Sequence, residues 1–120
     1  MPSMLVTLPL KPGQEPAACA FIQEYMGTRF ADFDASERRF GILVENWYLL
    51  RTPMGEMFII YIEGEDLQAA TDGFVRSHEP IDVWAKEQIR ALTGYDFNST
   101  PPAPETSAEV LAEYCVSPES

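Results

Sequence analysis

The chain has 120 residues and a mass of 13.5 kDa, and eight Lys and Arg against nineteen Asp and Glu give a net charge of −11. This length predicts one domain over residues 1–120. The negative charge argues against binding to nucleic acid or to anionic membrane surfaces, because both need clustered Lys and Arg. No apolar run approaches the roughly 18 residues that span a bilayer, and residues 1–10 lack the basic flank of a signal peptide, so we expect a cytoplasmic protein.

The first third of the chain predicts a strand followed by two helical segments. Met4–Leu10 is mostly apolar and has Pro9 near its end, which is typical of a strand that ends there. Pro16–Met26 carries apolar residues at a spacing of three to four, which predicts an amphipathic helix. Thr28–Arg39 also has helical periodicity, and we expect Gly27 to bend or divide the two segments.

The middle of the chain predicts a β-hairpin and then a helix in two parts. The two strands are Ile42–Arg51 and Met57–Glu63, joined by a short turn that contains proline and glycine. A helix begins at Leu67 with Glu65-Asp66 as its N-terminal cap, and it breaks before Pro80. A further helix runs over residues 81–92 and stops at Gly94.

The end of the chain predicts a loop and a last strand. Asn98–Ser107 contains three prolines and has no core-forming pattern, whereas Ala108–Val116 contains enough apolar residues for a strand. The element order is then βαββαβ. This order predicts an α+β, ferredoxin-like fold, a four-stranded antiparallel sheet with its helices on one face.

The hairpin strands are apolar on both faces. A strand with one face in water alternates apolar and polar residues, but residues 57–62 read Met-Phe-Ile-Ile-Tyr-Ile. The helices can cover only one side of the sheet, and monomers rarely leave such an apolar area open. We therefore predict a homodimer in which a second copy covers the open sheet face through a twofold axis. The alternative is that Asn98–Ser107 or Thr28–Arg39 folds over this face.

Three short motifs carry a family resemblance. They are Leu10-Lys11-Pro12-Gly13 after the first strand, Tyr61–Asp66 at the end of the hairpin and Ser77–Asp82 between the two later helices. Over residues 4–116 the chain resembles the dimeric α/β-barrel superfamily and, within it, an uncharacterised bacterial group. The resemblance implies the fold and the dimer. It does not imply one activity, because related proteins include cofactor-free monooxygenases, isomerases and haem enzymes.

His78 and Asn46 are the candidate catalytic residues. His78 is the single histidine, and it could act as a general base or, if haem were bound, as an axial ligand. Its ring could equally bond the free carbonyls at the end of the preceding helix, which is a purely structural role. Asn46 shares one strand face with Tyr48, while Glu45 and Trp47 share the other.

Aromatic residues with polar tips are the candidate ligand-binding residues: Trp47, Tyr48, Tyr61 and Trp84. A mainly apolar cavity with a few convergent polar groups suits a small ligand. The alternative is that these side chains anchor the core or an interface.

The sequence contains no motif for a metal site or a phosphate-binding site. With one histidine and no Cys-x-x-Cys pair, no zinc cluster of the usual spacing can form. No phosphate-binding glycine loop, nucleophile elbow or paired-carboxylate motif is present, and we expect no cofactor.

Two functions remain open. The first is a small dimeric protein that binds a small apolar ligand or a protein partner without catalysis. The second is a cofactor-independent monooxygenase-like or isomerase-like enzyme acting on an aromatic or polyketide-like molecule, with His78, Asn46, Trp47 and Tyr61 nearest the chemistry. We expect that a pocket of about 300 Å³ converging on those four side chains would favour a ligand binder or an enzyme.

Overall fold

Three antiparallel strands and four α-helices make up the part of the chain that the computed structural model describes, residues 2–98, 111–112 and 114–116. The strands are β1 (Ser3–Pro9), β2 (Ile42–Thr52) and β3 (Gly55–Gly64). Their spatial order is β1-β3-β2, so that β3 is central and pairs with both neighbours. The predicted α+β class, antiparallel sheet and β-hairpin are confirmed.

The helices fall close to the predicted segments. They are α1 (Glu15–Gln23), α2 (Phe30–Phe40), α3 (Leu67–Arg76) and α4 (Pro80–Thr93), and a π-helical turn, Glu24–Thr28, joins α1 to α2. Gly27 lies inside that turn, where the sequence predicts a division. Within the described residues, no helix is both long and apolar enough to cross a membrane.

Local side-chain chemistry explains several of the helix ends. The Asp66 side chain accepts a hydrogen bond from the backbone N–H of Ala69 at 3.0 Å, which caps α3 as predicted. Gly41 ends α2 with φ 74° and Gly94 ends α4 with φ 83°. This left-handed conformation favours glycine, because a side chain would clash with the backbone.

All four helices pack on one face of the sheet. The inward side chains of β1 and β3 include Val6, Leu8, Phe58 and Ile60, and they form the core together with residues from α1, α2 and α4. Phe74 and Val75 of α3 pack against the same cluster. Burial of this apolar face stabilises the fold by about 25 cal/mol for each Å² removed from water.

The opposite face of the sheet carries the second set of apolar residues. Leu5, Ile59 and Tyr61 lie on it, and Tyr48 and Leu50 of β2 are 54% and 41% exposed. Since α2 packs on the helical face, Thr28–Arg39 does not cover this side as the alternative required. The segment 99–107, most of the other candidate cover, lies outside the described residues.

The predicted last strand, Ala108–Val116, is wrong for its described residues. Leu111, Tyr114 and Val116 belong to no strand and are exposed, so the described sheet has three strands instead of four. The larger apolar residues of this segment stand at 110, 111, 114, 115 and 116, so they do not alternate with the period of two that a half-buried strand requires. The remaining residues of the segment are outside the described part.

Candidate functional site

An apolar cavity of about 90 Å³ lies between the inner face of the sheet and the helices. Its walls come from all three strands and from α2, α3 and α4, and they are almost entirely apolar: Met4, Val6, Phe40, Ile42, Trp47, Ile60, Ile62, Leu67, Ala70, Phe74, Ile89 and Phe97. The polar groups in the wall are few, namely those of Tyr25, Glu37, Glu45 and Thr71. An apolar space with a few convergent polar groups is the usual form of a small-molecule site.

A β-bulge places Glu45 and Trp47 on the inner face. Ile42 pairs with Gly64 and Val44 pairs with Glu63, so that Leu43 is an extra residue in β2. One extra residue reverses the inward and outward positions of all that follow it. Glu45 and Trp47 therefore both point toward the helices. They share one face of the strand, as the sequence predicts.

Helical spacing places Glu37 beside them. Phe33, Ser36, Glu37 and Phe40 stand three to four residues apart, and they form the face of α2 that packs inward. Glu37 reaches the same cavity wall as Glu45, and the two carboxyl groups form a hydrogen bond with each other. The indole N–H of Trp47 donates to Oε2 of Glu45 at 2.7 Å.

Both carboxyl groups of the pair have raised pKa values. Burial, followed by the negative charge of Glu45, raises the pKa of Glu37 to about 10. Asp82 and Asp34 contribute in the same direction. Burial also raises the pKa of Glu45, although the hydrogen bonds from Glu37 and Trp47 act against it. When Glu45 is ionised, the protonated Glu37 beside it is a general acid next to a general base.

A surface cleft of about 500 Å³ adjoins the pair from the other side. It runs between α2 and the start of β2, and its walls include Phe30, Phe33, Asp34, Arg38, Leu43 and Val44. Glu37, Ile42 and Glu45 line both this cleft and the inner cavity. The carboxyl pair thus stands where a solvent-accessible cleft meets an apolar interior.

An aromatic cluster supports this wall. Tyr25 is buried and stacks on Phe21 at 5.2 Å between ring centroids, with Phe33 at 4.7 Å and Trp84 at 5.8 Å. Burial, then the charges of Glu45, Glu37 and Asp82, raises the pKa of Tyr25 well above its ordinary value. Its hydroxyl therefore stays neutral beside the pair.

Buried Asp82 of α4 holds α2 in place. It accepts hydrogen bonds from Ser36 at 2.5 Å, from Arg39 at 2.7 Å and from Ser77 at 2.5 Å. Lys86 is also buried and donates to the carbonyls of Val75 and Ser77, each at 3.0 Å. Since Ser36 and Arg39 flank Glu37 on α2, this network fixes the position of the carboxyl pair.

The predicted site residues other than His78 lie in three places. Trp47 is in the cavity wall, and Trp84 is in the aromatic cluster with the Arg29 guanidinium 4.2 Å from its ring centroid. Asn46, Tyr48 and Tyr61 lie on the open sheet face, where Asn46 pairs with Tyr61 and the Tyr61 hydroxyl donates to Glu63 at 2.5 Å. Tyr48 and Trp47 also border a groove of about 250 Å³ between α1 and β2.

His78 lies apart from all of these. It is exposed in the connection between α3 and α4, and Lys86 satisfies carbonyls at the end of α3. The structure does not bring His78, Asn46, Trp47 and Tyr61 together around one pocket.

The carboxyl pair is the feature that sequence reasoning missed. Glu37 lies on α2 and Glu45 on β2, so no local sequence motif predicts that they meet. The available signal was the position of Glu37 on the apolar stripe of α2, four residues after Phe33 and three before Phe40. Within the described ranges, no three His, Cys, Asp or Glu side chains lie close enough to hold a metal ion.

Comparison with known proteins supports the fold. No family model and no curated protein matches this sequence. Among solved structures, the chain is similar to tetracenomycin F2 cyclase from Streptomyces glaucescens, a type-II polyketide cyclase. The identity is 20% over 98% of this chain and 100% of the cyclase chain, with a TM-score of 0.56. At this identity, the likeness shows the fold alone.

Proposed function

We propose that this protein catalyses proton transfer on an apolar small molecule that contains a carbonyl group, as an isomerase-like enzyme. One observation carries the proposal: Glu37 and Glu45 form a hydrogen-bonded carboxyl pair at a wall shared by the apolar cavity and the cleft. The cavity alone is smaller than the roughly 300 Å³ of a typical ligand site, so the bulk of a ligand would lie in the cleft. The fold shared with a polyketide cyclase agrees with a substrate of this kind.

The chemistry keeps protons and charge balanced. The Glu45 carboxylate takes a proton from a carbon next to the carbonyl, and the C–H electron pair becomes a C=C bond while the C=O π pair moves to oxygen. Glu37 gives its proton to that oxygen, which yields an enol. Return of the proton from Glu45 to a carbon, with Glu37 recovering its own, completes an isomerisation. The pair holds one proton and one negative charge before and after the reaction.

We also propose that the protein works as a homodimer joined through the open sheet face. The exposed Tyr48 and Leu50, together with Leu5, Met57 and Ile59, form an apolar surface that spans all three strands. A twofold contact between two such faces buries the same residues of both copies. The carboxyl pair lies on the other side of the sheet, so each protomer keeps its own site.

The probe for catalysis is 2-tetralone, an apolar bicyclic ketone with acidic hydrogens beside its carbonyl. We expect the protein to accelerate exchange of these hydrogens for deuterium in D₂O, followed by proton NMR. Glu45→Gln and Glu37→Gln each lose the acceleration, because one removes the base and the other the acid. The control, Glu63→Gln on the open face, retains it. Equal exchange rates with the wild type, with Glu45→Gln and without protein would reject the proposal.

Binding without catalysis is the second candidate, because the apolar walls of the inner cavity suit an apolar ligand whether or not it reacts. In that case 2-tetralone binds to the wild type, and its exchange rate does not change.

A further inference from the structure

The hydroxyl of Tyr25 is a polar group at the cavity that makes no hydrogen bond to another described residue. Burial and the charges of Glu45, Glu37 and Asp82 act on this hydroxyl, and no hydrogen bond is among the influences on it. Tyr25 is only 3% exposed, and the polar groups of so buried a residue usually have a partner. The position therefore suits a partner that enters from outside the chain.

The hydroxyl is open to the cavity. Tyr25 forms part of the cavity wall together with Glu37 and Glu45, and it does not line the cleft. Among the described residues, the polar side-chain atom that is both fully enclosed and without a partner belongs to Glu37 and not to Tyr25. An unpartnered hydroxyl that is not fully enclosed keeps accessible surface, which a molecule in the cavity can contact.

The π-helical turn between α1 and α2 holds this ring in place. Tyr25 is the buried residue of the turn Glu24–Thr28. Phe21 stacks on the ring, and Phe33 meets it edge-on. π-Helical turns are rare and occur often at functional sites. A side chain fixed in this way loses little conformational entropy when it binds a ligand.

The other donors in the described part of the cavity wall are committed. The Thr71 hydroxyl donates to a backbone carbonyl of its own helix at 2.9 Å, and the indole N–H of Trp47 donates to Glu45. The carboxyl groups of Glu37 and Glu45 bond to each other. Because the pKa of Tyr25 is raised well above its ordinary value, its hydroxyl keeps its proton and is the donor that a ligand can use.

We propose that the Tyr25 hydroxyl donates a hydrogen bond to the carbonyl oxygen of the ligand, as a third group that contacts the substrate beside Glu37 and Glu45. The inference rests on the proposed function, which supplies the carbonyl group. When Glu45 takes a proton from the neighbouring carbon, negative charge develops on that oxygen. A fixed donor in an apolar site stabilises this charge more than it stabilises the ketone.

The variant Tyr25→Phe tests the hydrogen bond, because it removes the hydroxyl and keeps the ring. Isothermal titration calorimetry compares two probes, 2-tetralone and its parent hydrocarbon tetralin, of which only the ketone has an oxygen. Loss of one net hydrogen bond predicts about fivefold weaker binding of 2-tetralone and unchanged binding of tetralin. Loss of a donor to the developing negative charge predicts about 10²-fold slower deuterium exchange of 2-tetralone.

The matched control is Tyr114→Phe, which removes the same hydroxyl from a residue that is 88% exposed. It should keep both affinities and the exchange rate of the wild type. The urea midpoint of Tyr25→Phe should equal that of the wild type, since the hydroxyl has no described protein partner to lose. A lower midpoint, or a Tyr25→Phe variant that does not fold, would show that the hydroxyl bonds within the protein and would overturn the inference.

Three binding results would also overturn it: an unchanged affinity of Tyr25→Phe for 2-tetralone; equal weakening of both probes, which would mean that the hydroxyl only shapes the cavity; or no binding of either probe to the wild type. The proposed catalysis fails separately. If the wild type does not accelerate exchange while Tyr25→Phe binds 2-tetralone more weakly, recognition of the carbonyl stands and the catalysis does not. If exchange requires Glu45 but not the Tyr25 hydroxyl, the catalysis stands and the role of Tyr25 does not.

Discussion

The carboxyl group of Glu37 on α2 bonds to that of Glu45 on β2, at the boundary between an apolar cavity and an open cleft. Two carboxyl groups within hydrogen-bonding distance repel each other strongly when both are ionised, which favours a state in which one keeps its proton. A carboxylic acid held neutral beside a carboxylate supplies an acid and a base in one place. The proposed function follows from this single contact.

Replacement of Glu37 by glutamine should alter how stability depends on pH. The pKa of Glu37 is about 10 in the folded protein against an ordinary 4.5. Above about pH 4.5 the unfolded chain releases this proton while the folded chain keeps it, so stability falls as pH rises, by at most about 1.4 kcal/mol per unit. Glu37→Gln does not titrate and escapes this loss.

Urea unfolding at about pH 5, 7 and 9 measures the effect. The stability of Glu37→Gln relative to the wild type should increase at each step. The control, Glu65→Gln at an exposed position, should keep a constant difference. A constant difference for Glu37→Gln as well would show that Glu37 titrates normally.

Replacement of Trp47 by phenylalanine should remove the N–H donor of Glu45. The aromatic contact with Phe58, at 5.0 Å between centroids, can persist, but Glu45 loses a charge-assisted hydrogen bond. We expect a loss of about 1–3 kcal/mol in the free energy of unfolding at neutral pH. Trp84→Phe is the matched control, because its main loss is a cation–π contact with Arg29 of about 0.5–1 kcal/mol. Equal costs would contradict the importance of the hydrogen bond to Glu45.

Replacement of Asp82 by asparagine should destabilise the protein by about 3 kcal/mol or more. The change removes the charge that accepts three hydrogen bonds, and it removes the larger of the two negative charges, Asp82 and Asp96, that act on the buried Lys86. The control is Glu15→Gln, whose exposed ion pair with Arg51 should contribute little to stability because solvent screens it. Chemical denaturation compares the two, and an Asp82→Asn variant no less stable than Glu15→Gln would be inconsistent with a clamping role.

Replacement of Ile59 by lysine should break the proposed homodimer. Ile59 lies on the central strand of the open face, paired with Thr7 on one side and Tyr48 on the other. We expect light scattering to give twice the 13.5 kDa chain mass for the wild type and the single chain mass for Ile59→Lys. Met54→Lys, at the 96% exposed hairpin tip, should remain dimeric. A wild type that is monomeric at micromolar concentration would refute the dimer.

The order and approximate bounds of the described elements could be predicted from the sequence because the signals are local. Apolar spacing marks α1 and α4, and the short turn between two apolar runs marks the hairpin. Asp66 and Gly94 mark helix ends through their own chemistry. The last strand failed because the apolar residues of its segment do not follow the period of a strand.

The site was harder to predict because it depends on contacts between elements. Glu45 faces inward only because Leu43 is an extra residue in β2. The residues around Leu43 contain no signal that predicts a bulge. Glu37 meets Glu45 through the packing of α2 on the sheet. His78, in contrast, was a candidate only because of its side-chain chemistry, and the fold leaves it exposed and outside the lining of the cavity.

The protonation state of Glu37 is the quantity on which this account depends most. Carbon-13 NMR of the side-chain carboxyl carbon, assigned by its loss in Glu37→Gln, reports it directly. We predict that this resonance keeps the chemical shift of a protonated acid from about pH 4 to about pH 8, as a pKa of about 10 requires. A titration with a midpoint near 4.5, the ordinary value, would contradict the shared proton and the catalysis built on it.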